Sequence, residues 1–227
     1  MAAFALAIEQ GARMIEFDVR LSLDGFPVVF HDATLERTTD GEGVPEDKRL
    51  EELRSLDAGA WFAPRFAGER IPRLVDVIEL ARAHGITLDI EMKFSQGIVA
   101  PLCDAVALVL EQTGFHDRCI VTSFHHGSLD YIRRCSSRIS VARLYGTHAP
   151  RDGDLDDGVP SAAVHHMLVV PSLVKRVHRH GGKIHVWTVD DADEMRRMVA
   201  MGVDTLMTNR PSVLDRVLRD LTEKAGD

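Results

Sequence analysis

The residues best suited to chemistry lie in two short stretches in which acidic and apolar side chains alternate. Glu16 and Asp18 alternate with apolar neighbours in the first stretch, and Glu91 and Lys93 do so in the second. Because successive side chains of a strand point to opposite faces of a sheet, each stretch predicts a strand with one charged face. Carboxylate oxygens suit hard cations such as Mg²⁺ or Ca²⁺ better than zinc. The sequence therefore predicts a divalent-cation site made by Glu16, Asp18 and Glu91.

A histidine joins the first stretch through a predicted hairpin. Asp24-Gly25 is a strong signal for a two-residue type I′ turn, which needs positive φ at both of its central residues. Such a turn would place Asp18 directly opposite His31, on the charged face of the strand. A histidine there is suited to moving a proton at neutral pH.

Lys93 is predicted to face the same side as Glu91, because the two residues are two positions apart. Its ammonium group suits an anionic phosphate oxygen as a point charge. A cation, a lysine and a histidine around one cavity suit phosphodiester cleavage, in which negative charge develops and a proton moves. The alternative is a structural salt-bridge cluster in which Lys93 and Arg20 neutralise the acids, and the residues alone leave it open.

Around these stretches the sequence repeats a helix that ends at glycine and a short apolar strand. Helices are predicted at residues 4–10, 74–84, 99–112, 173–180 and 191–201, and strands begin near Ile15, Leu88, Cys119, Ile139, Ala162, Ile184 and Asp204. This order indicates a parallel α/β fold. No Gly-x-Gly-x-x-Gly follows a strand, so an open dinucleotide-binding sheet is disfavoured. Polar side chains along one strand face suit a barrel mouth, and we predict a (β/α)₈ TIM barrel.

Seven strands are counted where a barrel needs eight. Because the chain opens on a helix that belongs after a strand, we expect that the first strand is missing, through a misassigned start or a natural loss. Residues 1–227 are expected to form a single, N-terminally truncated domain. Residues 33–72 are expected to be an insertion after the second strand, over the barrel mouth. There they would carry substrate contacts or form a plain structural cap.

Composition narrows the class of protein. The 227 residues carry a formal net charge of −8, which argues against a nucleic-acid partner. No apolar run is long enough to span a membrane. The three cysteines, Cys103, Cys119 and Cys135, form no C-x-x-C pair and predict reduced thiols in the cytoplasm, with an upstream signal peptide left open. The oligomeric state is not predicted.

Several ordered motifs run from near the first residue to near the last. They are Ile15-Glu16-Phe17-Asp18-Val19, Asp24-Gly25, Pro27-Val28-Val29, His31-Asp32, Leu35-x-Arg37-Thr38-Thr39-x-Gly41, Ile71-Pro72-x-Leu74, Ile90-Glu91-x-Lys93, Thr122-Ser123-Phe124, Trp187-Thr188-Val189 and Thr208-Asn209-Arg210-Pro211. Together they resemble the glycerophosphodiester phosphodiesterase family. The resemblance implies a TIM barrel with an insertion after its second strand, which hydrolyses glycerophosphodiesters from lipid breakdown to glycerol phosphate and an alcohol.

The resemblance also implies roles for single residues. Glu16, Asp18 and Glu91 would bind a divalent ion, Mg²⁺ or Ca²⁺. His31 would be one of two acid/base histidines, and Lys93 would hold the phosphate. Trp187 would line the glycerol side of the pocket, unless it is a core aromatic at a strand end.

One departure from the family pattern concerns the start of the chain. The family has a strand that ends in His-Arg-Gly and then a Glu-Asn-Thr segment, and neither has a counterpart here. The second acid/base histidine is therefore absent, and activity is expected to be impaired. A catalytically inactive barrel that binds phosphodiesters and a related phospholipase or lyase are the alternative readings.

Overall fold

A computed structural model describes residues 1–95, 97–156 and 158–226. The fold is α/β, with eight strands in one mostly parallel sheet. The chain divides into two compact units, residues 1–8 with 13–140 and residues 9–12 with 141–227. Each unit is described by itself below.

The first unit contains the two acidic strands. Its elements are α1 (Ala2–Glu9), β1 (Met14–Leu21), β2 (Pro27–Val29), α2 (Leu50–Ser55), α3 (Leu74–His84), β3 (Thr87–Met92), α4 (Val99–Thr113), β4 (Cys119–Ser123) and α5 (His126–Cys135). The strand order is β2-β1-β3-β4, and only β2 is antiparallel to its neighbour. Three parallel strands therefore end on the same edge of this part of the sheet.

The second unit repeats the alternation of strand and helix. Its elements are β5 (Ser140–Tyr145), α6 (Asp152–Leu155), β6 (Ala162–His165), α7 (Pro171–Arg179), β7 (Ile184–Trp187), α8 (Ala192–Met201), β8 (Thr205–Leu206) and α9 (Pro211–Gly226). The strands follow one another in chain order and are parallel. Val164 and Val186 pack with Met195 and Met198 in a buried apolar cluster between strands and helices.

Local sequence explains why α3 leads directly into β3. The Asp76 carboxylate accepts a hydrogen bond from the backbone N–H of Arg73 (2.9 Å), which satisfies a free donor at the start of the helix. Gly85 ends the helix in the left-handed conformation (φ 69°), which glycine adopts without a steric penalty. The helix, glycine, strand order predicted for this segment is confirmed.

The predicted hairpin register is wrong by one residue. Only Gly25 has positive φ in the turn, so Leu23, Asp24 and Gly25 form a three-residue connection instead of a type I′ turn. Val19 pairs with Val29, and the backbone N–H of Phe30 donates to the carbonyl of Asp18. Asp18 therefore lies opposite Phe30 and not opposite His31.

All seven predicted parallel strands are present, although β8 has only two residues. The eighth strand of the sheet is β2, the returning arm of the hairpin. Four helices of the described residues, α2, α5, α6 and α9, were not expected from the sequence. No helix among the described residues has the length and apolar character needed to cross a membrane.

The insertion at residues 33–72 has a small core of its own. Its Leu35, Leu53 and Ile71 are fully buried and pack with Val28 and Phe30 from the hairpin. Around them lie α2 and two short 3₁₀ turns, Pro45–Asp47 and Pro64–Phe66. The location of this insertion over a barrel mouth stays a prediction, as does the expectation of a single domain.

Candidate active site

Four carboxylates stand side by side on β1 and β3. In the parallel register, Glu16 is paired with Asp89 and Asp18 with Glu91. Neighbouring residues of adjacent strands point to the same face, so the four side chains share the charged face of the sheet. Carboxylate oxygens of Glu16, Asp18 and Glu91 all lie within 4.8 Å of one another. The structure thus brings together the three residues predicted to bind a cation.

The electrostatics show that these charges oppose one another. Loss of solvation around its carboxylate raises the pKa of Glu16 to about 8 although the residue as a whole is exposed, and the negative charges of Asp18, Asp89 and Glu91 add to that rise. Burial also raises the pKa of Glu91, against the lowering effect of Lys93 and of a positive charge on His31. A positive charge at this place would relieve the repulsion.

Lys93 supplies part of that positive charge. Its ammonium group lies 3.2 Å from an Asp18 oxygen and also forms an ion pair with Glu91. Burial disfavours the charged ammonium, but the hydrogen bond to Glu91 and the charges of both acids raise the Lys93 pKa. Nζ also lies 5.7 Å from the centre of the Phe124 ring, near the end of β4. Lys93 therefore pairs with two acids of the cluster, Asp18 and Glu91.

The other predicted neutralising residue is elsewhere. The Arg20 guanidinium forms its ion pair with Glu46 of the insertion, 2.9 Å away, and not with the acids of the cluster. This part of the salt-bridge reading is wrong, because the cluster has Lys93 but not Arg20 as its partner.

His31 lies just beyond β2, and its side chain is largely exposed. Its Nδ1 is 2.7 Å from an Asp32 oxygen, and because an ionised carboxylate only accepts, Nδ1 carries the proton of that bond. Arg37 binds the same carboxylate through both Nε and Nη2. These bonds from Arg37 and then from His31 strongly lower the pKa of Asp32. The Nε2 atom of His31 is left to exchange a proton with another group.

The donor set fits a hard divalent cation. Oxygen ligands at about 2.0–2.6 Å from a metal can be separated from one another by at most about 4–5 Å, in line with the 4.8 Å spread of the three carboxylates. Glu16 forms no hydrogen bond or ion pair within the described part of the chain, so its carboxylate is available to a ligand. Their role as metal ligands stays a prediction.

Asp89 is a fourth acid that was not selected from the sequence. It is fully buried, and Thr122 donates to one of its oxygens (2.8 Å). The other oxygen has no hydrogen-bond partner among the described residues. Burial raises the pKa of Asp89 to about 7, with contributions from Glu91 and Asp18. The sequence signal for Asp89 was its spacing of two residues from Glu91. The corresponding signal for Asp32 was its position next to His31 in the sequence.

Trp187 lies in the second unit, at the carboxyl end of β7. Its ring meets the ring of His165 edge to face, with 5.0 Å between the centroids, and His165 ends the neighbouring strand β6. The indole is half-buried, and this degree of burial fits both a core aromatic and a residue that lines a ligand pocket. Its role at the glycerol side stays a prediction.

Comparison with known proteins gives a consistent result. The model of the glycerophosphoryl diester phosphodiesterase family matches residues 1–213. A glycerophosphodiester phosphodiesterase of Caldanaerobacter subterraneus subsp. tengcongensis is 35% identical over 221 residues, which are 96% of this chain and 91% of that protein.

Two solved structures show the same fold. One is an Oleispira antarctica phosphodiesterase in complex with the product sn-glycerol-3-phosphate, with 27% identity and a TM-score of 0.82 over 96% of this chain and 90% of that one. The other is a glycerophosphodiester phosphodiesterase of Agrobacterium tumefaciens, with 27% identity and a TM-score of 0.77 over 94% and 90%. The eight-stranded sheet is therefore similar to the sheet of these enzymes.

Proposed function

This chain belongs to the glycerophosphoryl diester phosphodiesterase family, whose members are phosphoric diester hydrolases, and we propose that its charged cluster hydrolyses glycerophosphodiesters with the help of a divalent cation. The observation that carries the proposal is the convergence of Glu16, Asp18 and Glu91 beside Lys93. Glycerol phosphate and a free alcohol would be the products. The glycerol phosphate bound to the Oleispira relative supports this substrate class.

The chain's own residues supply proton transfer and charge. In hydrolysis the oxygen of water bonds to phosphorus and the water gives up a proton, while the bond from phosphorus to the alcohol oxygen breaks and that oxygen takes up a proton. His31 would move a proton at Nε2, because Nδ1 is held by Asp32. Lys93 would bind a non-bridging phosphate oxygen and balance its developing charge.

The cation would be held by Glu16, Asp18 and Glu91. When bound, it would stabilise negative charge on the phosphate oxygens without any proton transfer. Trp187 belongs to the same proposal as a contact for the glycerol moiety, supported by the family resemblance and by its place at a strand's carboxyl end.

The proposal includes slow turnover by these 227 residues. The sequence has no His-Arg-Gly motif, so His31 would act without the second acid/base histidine that the family resemblance leads one to expect. Loss of one acid/base group typically costs about 10²- to 10⁴-fold in rate. We expect kcat to be lower than that of the Caldanaerobacter relative by a factor in this range.

The decisive experiment measures glycerol phosphate release from glycerophosphocholine in buffer with a chelator, with Mg²⁺ and with Ca²⁺. Slow turnover that depends on a cation and disappears in Glu91→Gln supports the proposal. Binding without turnover would favour the inactive phosphodiester-binding barrel. Turnover of an intact phospholipid, with no turnover of glycerophosphocholine, would favour the phospholipase or lyase reading.

A further inference from the structure

The side chain of Arg20 links three loops around the charged cluster. Arg20 lies on β1 two positions after Asp18, so the two side chains emerge on the same strand face about 7 Å apart. Its Nε donates to the backbone carbonyl of His31 (3.1 Å), and Nη1 donates to Glu46 (2.9 Å) and to the Ser95 hydroxyl (3.3 Å). The loop that follows β2, the insertion and the loop that follows β3 thus meet at one guanidinium.

This ion pair is buried. The side chains of Arg20 and Glu46 are only 7% and 9% exposed. The Ser95 hydroxyl donates to the same Glu46 oxygen that Arg20 binds, whereas the other Glu46 oxygen is buried without a hydrogen-bond partner in the described residues. A buried ion pair of this kind adds little net stability compared with apolar side chains of similar size, which makes a stabilising purpose alone a poor account of it.

The contacts of Arg20 indicate instead a role in placing the backbone at His31. His31 has an exposed side chain and follows a strand of only three residues, so its backbone has little other support from the sheet. The backbone N–H of Phe30 donates to the Asp18 carbonyl, and the backbone carbonyl of the following residue, His31, accepts from Arg20. A fixed carbonyl at His31 restricts the position of its imidazole relative to Asp18. Asp18 lies on β1, the same strand as Arg20.

We propose that Arg20, held by Glu46 and Ser95, is a positioning residue that keeps His31 in place against the carboxylates of β1 and β3. Arg20 touches neither substrate nor cation in this proposal and acts through the backbone of His31. The proposal rests on the proposed function for its kinetic consequence, but its structural consequence for His31 does not depend on turnover.

The kinetic test uses Arg20→Met, the double variant Arg20→Met with Glu46→Met, and Arg20→Met in a His31→Ala background. Arg20→Met should lower kcat about 10- to 100-fold with little change in KM. The double variant removes both buried charges and should recover thermal stability without recovering kcat. In the His31→Ala background, Arg20→Met should lower kcat by less than twofold, because the residue it positions is gone.

A matched control is Arg118→Met. Arg118 also donates to a backbone carbonyl, that of Ile86, but at the opposite, amino ends of β3 and β4. This variant should keep the wild-type kcat. Arg20→Lys, which can bind Glu46 but lacks the forked donor, should recover only part of the activity lost in Arg20→Met.

A second measurement decides the proposal even if the wild-type protein turns over no substrate. The imidazole resonance of His31, assigned by its absence in His31→Ala, should shift or broaden in Arg20→Met and stay unchanged in Arg118→Met. An unchanged His31 resonance in Arg20→Met would overturn the proposal, as would wild-type kcat in the double variant. Inactive wild-type protein with a shifted His31 resonance would instead refute the proposed function alone.

Discussion

At the scale of single residues, the site depends on how its side chains hold one another. Asp32 fixes the proton on Nδ1 of His31, and Arg37 keeps Asp32 ionised. Asp32→Asn keeps the size of the side chain but removes the charge that stabilises a protonated imidazole. We expect kcat to fall about 10²-fold with little effect on KM, measured as the release of glycerol phosphate. The exposed Asp47→Asn is the control, and an equal loss in both variants would contradict the role of Asp32.

The cation site makes a second residue-scale prediction. A ligand that binds only the folded protein raises its stability by RT ln(1 + [L]/Kd), about 2.7 kcal/mol at a hundredfold excess over Kd. The melting temperature should therefore rise with millimolar Mg²⁺ or Ca²⁺, and Glu16→Gln should remove most of the rise because it removes one of three ligands. The measurement is a thermal melt with and without metal. A melting temperature that neither ion changes would favour the structural salt-bridge cluster.

At this scale a site residue could be predicted from the sequence where alternation along a strand alone decides which way its side chain points. Glu16, Asp18, Glu91 and Lys93 come together because strands have a period of two, which can be read directly from the residues. The partner of His31 could not be read in this way, because it depends on the turn. Asp24 does not adopt positive φ, and the resulting one-residue change of register places Phe30 instead of His31 opposite Asp18.

At the scale of elements, most of the fold could be predicted because a glycine closes each of the five helices that were expected from the sequence. Of the four helices that were missed, α5 has a weak local signal. Gly127 lies in the first turn of α5, where glycine lowers helix propensity, although Leu129 and Ile132 give the helix a buried face. For α9 the signal was present, because Pro211 stands at the first helical position, where its missing N–H costs nothing.

The small core of the insertion should contribute to the stability of the protein. Leu53 of α2 is fully buried in the small core that the insertion shares with Val28 and Phe30. Leu53→Ala should lower the free energy of unfolding by about 2–5 kcal/mol, because it leaves a cavity in that core. Because Phe30 precedes His31, kcat should fall as well. Denaturant titration and turnover are the measurements, and Leu23→Ala, at an exposed site in the hairpin, should change neither.

At the scale of the whole molecule, stability should depend on pH through a buried histidine far along the chain. His185 on β7 is 4% exposed, and its Nδ1 has no hydrogen-bond partner in the part of the chain that is described. Burial lowers its pKa from 6.5 to about 4, although the negative charge of Asp204 opposes the change. The neutral imidazole is thus favoured in the folded protein.

The sign of the effect follows from which state binds the proton. Between pH 6.5 and pH 4 the unfolded chain protonates His185 while the folded chain does not, so stability is full above pH 6.5 and falls as the pH drops towards 4. The full loss from this residue is about 3 kcal/mol. His185→Leu should remove this part of the pH dependence, measured as the free energy of unfolding at pH 7 and at pH 4.5, while the exposed His84→Gln should retain it. Parallel pH curves for wild type and His185→Leu would show instead that His185 is protonated in the folded protein, with water or a rearranged Asp204 reaching its ring.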